Sequence, residues 1–370
     1  MNKYVRIVIV LGIGLLVTAA CAPAPAAPPP ATQAPAIAPT NVPATAPTAV
    51  PTKASAAQPV TVKYGQIGGV SDGAIFIAEA KGFFKEQGIT MEYVPFTSAA
   101  QMIAPLGTNE LQIGGGAISA GLFNAFNRDV KILIVADKGN QNPGNGYEAY
   151  VARKDLADQI KGPKDLKGRT IALAARDISP EYSLDAYLRM GGLTINDVTV
   201  VTMGHPDMLT ALQNKAIDVG APIEPTLTRV LQAGAGTLLT RVDAVVPGIQ
   251  VAVILYSEKF AQDQHDAAAR FMVAYLKGAR LYNDAFTKKD PKARADVIDI
   301  LAKATKLDAA LFDQMYVPGI DPNGKVNVKS TDDIQQWFVK KGSLPKAADL
   351  GKLIDTSFAE DAVKQLGPYK

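Results

Sequence analysis

Strand-like and helix-like hydrophobic patterns alternate along the chain from residue 60, and this alternation limits the possible folds more than any other feature. Val60, Val62 and Tyr64 alternate with polar residues, as in a half-buried strand, and a helical spacing of apolar residues begins at Ile75. Further strands are predicted at residues 91–96, 111–116 and 131–136, with helices between them. Because strands that alternate with helices form parallel sheets covered on both faces, the sequence predicts the α/β class.

A second alternating series begins after residue 168. Its predicted strands lie at residues 170–174, 198–203, 218–221 and 236–240, again with helices between them. We therefore expect two α/β lobes, and we expect the long helices after residue 267 to form a helical C-terminal tail that packs on the first lobe. Lobe one is placed at residues 60–148 plus 256–370 and lobe two at residues 149–255, with two crossovers between them.

The first 21 residues have the order of a secretory signal peptide. Lys3 and Arg6 precede an apolar run of 11 residues, and small residues then lead to Cys21. As a helix the run is about 16 Å long, which is too short for the roughly 30 Å core of a bilayer. The small residues before Cys21 resemble a bacterial lipobox, so we predict a signal peptide over residues 1–20 and lipidation of Cys21. The alternative is ordinary secretory cleavage that leaves Cys21 as a free thiol.

Residues 22–59 predict a spacer. They contain 11 prolines and 14 alanines, with a single charge and no aromatic side chain. Such a tract cannot bury a core and favours extended, semi-rigid conformations. With Cys21 it forms the predicted lipidated linker, residues 21–59, which would hold a folded module away from a membrane.

Composition excludes several function classes. Lys3, Arg6 and Lys53 account for the whole formal charge of +3, so the remainder of the chain has equal numbers of acidic and basic residues and no electrostatic footprint for nucleic acid. One cysteine and two histidines provide neither a disulfide framework nor a Cys/His zinc site. Motifs for a phosphate-binding loop, a serine nucleophile elbow and a zinc helix are also absent from the sequence. We therefore expect no metal, no cofactor and no catalytic residues.

Candidate ligand-binding residues stand where predicted strands end and helices begin. Ligands of open α/β sheets bind at these junctions, where helix N-termini present unpaired N–H groups. Gly69, Ser71 and Asp72 follow the first strand, and Gly116 and Ser119 follow the third. In lobe two the candidates are Arg176, Ser179, Tyr182 and Glu224. Each junction can also be ordinary turn and helix-capping chemistry.

The polar segment 137–147 follows the fourth predicted strand, and it ends in Tyr147. It is interpreted either as a binding loop or as a solvated surface loop. Tyr147 and Tyr182 can each present a flat face to a ring-shaped ligand, although buried tyrosines more often serve as core residues. His205 is interpreted as a turn residue at a helix entry rather than as a catalytic base.

Several segments, taken in order, resemble the solute-binding proteins of nitrate/sulfonate/taurine-type ABC importers, a family that also includes binders of thiamine pyrimidine precursors and of riboflavin. The resemblance covers roughly residues 60–285. The segments that carry it are residues 78–89 (AEAKGFFKEQGI), 165–169 (DLKGR), 179–184 (SPEYSL), 211–218 (ALQNKAID) and the pair Glu224-Pro225.

The resemblance implies a two-lobed type II periplasmic-binding-protein fold with the ligand in the cleft and hinge closure on binding. It also implies that the protein passes a small molecule to ABC permease and ATPase subunits. Together with the predicted lipid anchor, this places the protein on the extracytoplasmic face of the cell membrane, and we expect it to be a monomer. Riboflavin or a related heterocyclic vitamin is the first prediction for the ligand. A sulfonate or nitrate, a non-transporting sensor or adhesin, and a pyrimidine-synthase-like enzyme are the alternatives; the enzymes use a cysteine-rich motif that this chain lacks.

Overall fold

A computed structural model describes residues 58–96 and 98–370. The predicted signal peptide, Cys21 and nearly all of the linker lie outside these residues. The described part contains two five-stranded sheets, each flanked by helices, which form the two lobes.

The first sheet has the strand order β2-β1-β3-β10-β4. Strands β1 and β2 are parallel and pair from Val60 with Ile89 to Gln66 with Pro95. The strand bounds are β1 Val60–Gln66, β2 Ile89–Pro95, β3 Ile113–Ala117, β4 Ile132–Gln141 and β10 Ile249–Ser257.

The second sheet has the order β7-β6-β8-β5-β9. Its central strand β8 is parallel to β6 and antiparallel to β5. The strand bounds are β5 Ala149–Arg153, β6 Thr170–Leu173, β7 Thr199–Thr202, β8 Val219–Gly220 and β9 Gly236–Arg241.

Neither sheet is purely parallel, which corrects the prediction from the alternating pattern. The antiparallel pairs arise at the two crossovers. The first strand after each crossover, β5 in the second sheet and β10 in the first, runs antiparallel to its neighbours. Strand β10 returns from the second sheet and pairs antiparallel with β3 and β4. These pairings begin at Ile249, so residues 249–255 lie in the first sheet, although the sequence-based boundary assigned them to lobe two.

The polar segment 137–147 is not a free loop over its first half. Strand β4 continues to Gln141, which pairs with Ile249 of β10, and Asp137 and Lys138 are completely buried. Polar residues can occupy this strand because buried partners satisfy them: Asp137 accepts hydrogen bonds from Gln250 Nε2 and from the backbone N–H of Asp321. Pairing with a distant strand therefore overrides a local pattern that resembles a loop.

Helices cover both sheets. The longest, α10, packs against α1 in the first lobe, and a Cβ at Gly278 would lie 2.1 Å from the carbonyl oxygen of Ala74, so glycine permits this close approach. No helix of residues 58–96 or 98–370 combines the length and apolarity needed to cross a bilayer. The helices are α1 Gly73–Ala80, α2 Phe83–Glu86, α3 Ile103–Thr108, α4 Ala120–Asn127, α5 Ser179–Met190, α6 His205–Gln213, α7 Thr226–Gln232, α8 Val242–Val245, α9 Glu258–Asp263, α10 His265–Phe286, α11 Pro291–Thr305, α12 Val328–Lys341, α13 Leu350–Leu353 and α14 Ser357–Leu366.

The C-terminal helices contact both lobes, whereas the sequence predicted packing on the first lobe alone. On the first-lobe side of α12, the ring of Phe338 lies 6.3 Å from that of Phe123 on α4. On the second-lobe side, Trp337 Nε1 donates a 2.7 Å hydrogen bond to Asp185 on α5. The adjacent side chains of Trp337 and Phe338 on α12 thus contact both lobes outside the crossover strands.

Candidate functional site

A cavity of about 650 Å³ is lined by residues of both lobes. The first lobe contributes small residues at the ends of β1 and β3, and the second contributes the ends of β6 and β7 and the segment before α7. Most of the lining is apolar, and Arg176, Asp177, Glu148, His205 and Tyr147 are its ionisable residues. The apolar lining includes Ile67, Val70, Ala99, Ala100, Ala117, Ala174, Ala175, Ile178, Ile223, Val251 and Ala252.

The structure brings most of the candidate residues to this cavity. Gly69, Ser71, Gly116 and Ser119 line it from the first lobe, Arg176 lines it from the second, and Tyr147 lines it next to β5. This convergence follows from the topology, because the carboxyl ends of parallel strands lie at the same edge of a sheet. Their role as ligand contacts remains a prediction.

Small residues create the space at the first-lobe wall. A Cβ on Gly116 would lie 2.6 Å from the Cβ of Ala99, so even alanine would not fit there without movement. Ser119 caps α4, since its side chain accepts a 3.1 Å hydrogen bond from the backbone N–H of Leu122. The hydroxyl hydrogen of Ser119 is therefore available to another acceptor.

Asp72 does not line the cavity but forms a fully buried ion pair beneath it. Its Oδ1 lies 2.9 Å from Lys138 Nζ and accepts a 2.8 Å hydrogen bond from the Tyr64 hydroxyl. Lys138 Nζ also donates to the Ser71 hydroxyl oxygen at 3.2 Å. Ser71 thus accepts from the ammonium and keeps its own hydrogen for the cavity, while Asp72 serves to hold Lys138.

Three further candidates do not line the cavity. Ser179 donates a 3.2 Å hydrogen bond to the backbone oxygen of Val251, and Tyr182 packs edge-on against Trp337 with the rings 5.9 Å apart. Glu224 is buried and accepts from the backbone N–H of Thr228 at 2.9 Å, and burial raises the pKa of its carboxyl. These positions stabilise helix starts and the contact with α12.

Arg176 belongs to a charge cluster at the cavity edge. Its Nε lies 2.5 Å from Oε1 of buried Glu181, whose other oxygen lies 2.6 Å from Lys341 Nζ of α12. Lys341 also contacts Asp177 at 2.7 Å. Burial alone would raise the pKa of Asp177, but the hydrogen bonds from Lys341 and Ser343 outweigh it and hold that pKa below its usual range. Two cations and two carboxylates therefore balance, and the Arg176 guanidinium stays half exposed to the cavity.

Two further residues, Glu148 and His205, line the cavity. The sequence reasoning did not consider Glu148. It interpreted His205 as a turn residue rather than as a catalytic base, within a strand–helix junction, residues 204–207, that it offered for a ligand. Glu148 is 1% exposed, and burial raises the pKa of its carboxyl to about 8 against the opposing hydrogen bond from Gln141. Burial lowers the pKa of His205 to about 4. Both side chains are therefore predominantly uncharged at neutral pH, and no local sequence pattern marks Glu148, which lies between two other buried residues.

Such a two-lobed α/β protein with an apolar cleft and a few converging polar groups is a small-molecule binder of the periplasmic-binding-protein class. A family model described as "NMT1/THI5 like" matches residues 72–291. The chain therefore belongs to this family, and it is a solute-binding protein of the nitrate/sulfonate/taurine type of ABC importer.

Individual relatives are consistent with this assignment. The chain is 25% identical over 308 residues to the taurine-binding periplasmic protein of Escherichia coli, with 77% of this chain and 88% of the relative covered. It superposes on the alkanesulfonate-binding protein SsuA of Xanthomonas axonopodis pv. citri, bound to MOPS, with a TM-score of 0.65 at 18% identity, covering 81% of this chain and all of that one. The desulfurization enzyme DSZB shares the fold with a TM-score of 0.58 at 15% identity, covering 83% and 99%. Fold alone therefore does not separate binder from enzyme.

Proposed function

We propose that the chain captures an organic anion of the sulfonate type, with a substantial apolar group, for delivery to an ABC permease and its ATPase. The observation that carries this proposal is the combination of one partly exposed cationic side chain, Arg176, with a mostly apolar cavity of about 650 Å³. A charge-assisted contact from Arg176 orients the anion, and burial of the apolar group supplies the remaining affinity.

The first-lobe wall provides matching donors for the anion. The Ser71 hydroxyl oxygen accepts from Lys138 and the Ser119 hydroxyl oxygen caps α4, which leaves the hydrogen of each hydroxyl free to donate to a ligand. A ligand that bridges these hydroxyls and Arg176 contacts both lobes. Such differential contact is what favours the closed state of a hinged binder.

A heterocyclic vitamin such as riboflavin is the second candidate, and the apolar lining with Tyr147 at its edge is the observation that favours it. The support is weaker than the sequence suggested, because Tyr182, the ring predicted to stack on a flavin, packs against Trp337 outside the cavity. Among the relatives named above, one is a taurine-binding protein and another is bound to MOPS, and both of these ligands are sulfonates.

A thermal-shift panel tests the ligand class. Residues 60–370 are mixed with taurine, ethanesulfonate, 2-(cyclohexylamino)ethanesulfonate, nitrate and riboflavin. We expect the sulfonate with the largest apolar group to raise the Tm most; a ligand at about 100 times its Kd stabilises the fold by about 2.7 kcal/mol. A shift with riboflavin and none with any sulfonate contradicts the proposal.

An arginine variant provides the matched comparison. Arg176→Met is expected to weaken sulfonate binding more than tenfold, because a hydrogen bond to a charged group is worth about 1.5–3 kcal/mol. Arg169→Met serves as the control, since Arg169 belongs to the same lobe but does not line the cavity. Calorimetric titration gives the two affinities. Equal losses in both variants would show that Arg176 does not contact the anion.

We also propose that Cys21 is lipidated after removal of residues 1–20. Residues 22–59 then tether a monomeric module to the extracytoplasmic face of the membrane. We further propose that the protein is not an enzyme. The sequence places its one cysteine in this leader, so residues 22–370 offer no thiol nucleophile to the cavity. A sensor or adhesin on the same anchor remains the alternative use of the fold; transport of the bound solute by cells with and without the protein distinguishes them.

Cys21→Ser tests the anchor. The variant is expected to lose incorporation of radiolabelled fatty acid, because acylation occurs through the cysteine sulfur. Cells that produce the native chain are labelled in parallel as the reference. Label that persists in Cys21→Ser would contradict the lipoprotein assignment without affecting the ligand proposal.

A further inference from the structure

Lys138 is completely buried behind the first-lobe wall of the cavity. Its Nζ lies 2.9 Å from Asp72 Oδ1 and donates a 3.2 Å hydrogen bond to the hydroxyl oxygen of Ser71, which lines the cavity. Replacing a buried ion pair by apolar side chains of similar volume is often neutral or stabilising. Stability alone therefore does not explain why this position holds a charge.

The lysine side chain reaches Ser71 across a glycine. Strand β10 lies between β4, which carries Lys138, and β3. A Cβ on Gly115 of β3 would lie 2.6 Å from Lys138 Cδ and 2.9 Å from its Cε. The glycine thus leaves room for the aliphatic part of the side chain, which carries the ammonium group to the cavity wall.

The ion pair is oriented with its positive end at that wall. The Asp72 carboxylate accepts hydrogen bonds of 2.8 Å from the Tyr64 hydroxyl and from the backbone N–H of Gly68. Tyr64 belongs to the buried core of the first lobe, and neither of these two donors lines the cavity. The ammonium, in contrast, contacts the hydroxyl of a lining residue, Ser71.

We infer that Lys138 is a positioning residue for the bound anion and acts on it through the hydroxyl of Ser71. The inference rests on the proposed function, since it requires an anion at the first-lobe wall. The ammonium donates to the Ser71 oxygen and polarises its O–H bond, and the hydroxyl hydrogen donates to an oxygen of the anion. A negatively charged ligand therefore gains more from this hydroxyl than an uncharged ligand of the same shape.

Ser119 provides an internal comparison, because it lines the same wall. Its hydroxyl oxygen accepts from the backbone N–H of Leu122, which is an uncharged donor. Both serines can donate to an anion, but they differ in the group behind them, an ammonium for Ser71 and an amide for Ser119. Charge-assisted hydrogen bonds are roughly twice as strong as neutral ones, so the two hydroxyls should differ in their preference for an anion.

Butanesulfonate and butyl methyl sulfone form the matched ligand pair, since the sulfone replaces one charged oxygen by a methyl group. The measured quantity is the ratio of their affinities for the native chain and its variants, from calorimetric titration. Ser71→Ala is expected to lower this ratio about tenfold, and Ser119→Ala about threefold. Ser71→Thr keeps a hydroxyl and should keep the ratio of the native chain.

A double-mutant cycle tests whether Lys138 causes this difference. Lys138→Met combined with Asp72→Asn removes both charges, so no uncompensated charge remains buried. In this background Ser71→Ala should lower the ratio no more than Ser119→Ala does, because no ammonium polarises the hydroxyl. Ser119→Ala should have the same effect in both backgrounds. Denaturant unfolding confirms that each variant is folded before it is titrated.

Equal losses in Ser71→Ala and Ser119→Ala on the native chain overturn the role of Lys138 and leave the anion proposal standing. An undiminished effect of Ser71→Ala after removal of Lys138 has the same consequence. The comparison of the two serine variants decides the matter by itself if the variant without Lys138 does not fold. Failure of every sulfonate to bind the native chain overturns the proposed function and this inference together.

Discussion

Asp72→Ala should lower the free energy of unfolding of the folded module by about 3–5 kcal/mol, because it leaves the Lys138 ammonium buried without its counter-charge. The side chains of both residues are completely buried. The same change also removes the acceptor of the Tyr64 hydroxyl and of the backbone N–H of Gly68. Chemical denaturation, read as a shift of the midpoint at constant slope, measures the loss.

Two further variants isolate the cause of this loss. Glu79→Ala removes an exposed carboxylate from α1, the helix that begins directly after Asp72, and is expected to change stability by less than about 0.5 kcal/mol. Asp72→Ala combined with Lys138→Met removes both charges and should recover part of the loss, since no uncompensated charge remains. If Asp72→Ala were as stable as the native chain and lost only ligand affinity, Asp72 would be a ligand contact, as the sequence first suggested.

The sequence predicted those residues of the cavity whose position depends on local sequence signals. Ser71 and Ser119 each stand between the end of a strand and the start of a helix, and the alternating pattern alone indicates that such positions share a sheet edge. Arg176 follows β6 in the same way. Because the carboxyl ends of parallel strands lie at one edge of a sheet, these local features are enough to predict that the three residues lie close together, without knowledge of long-range contacts.

Residues whose position depends on distant partners could not be predicted in this way. The segment from Asp137 to Gln141 is polar, and it becomes a buried strand only because β10, more than a hundred residues later, pairs with it. Glu148 reaches the cavity through a bridge to Ile223, and Tyr182 is removed from it by Trp337 of α12. In each case the deciding contact joins segments that are far apart in the sequence.

The C-terminal helix α12 is the clearest example of such a contact with a consequence for binding. Lys341 forms ion pairs with Asp177 and Glu181, which lie beside Arg176, and the Glu181 side chain is fully buried. Without Lys341 the cluster has two carboxylates against one guanidinium. The remaining carboxylates then compete with a ligand for Arg176, and the net negative charge of the cluster repels an anion.

Lys341→Met is therefore expected to weaken binding of an organic sulfonate about tenfold, or about 1.4 kcal/mol, even though Lys341 does not line the cavity. Lys341→Arg preserves the charge and should retain most of the affinity. Lys340→Met is the matched control, because Lys340 is exposed on the same helix and forms no ion pair within the described residues.

Titration at two salt concentrations adds an independent criterion. Added salt screens the uncompensated carboxylate, so the difference in affinity between Lys341→Met and the native chain should shrink as ionic strength rises. A loss of affinity that is independent of salt, or equal in Lys340→Met, would instead point to a packing role for this end of α12.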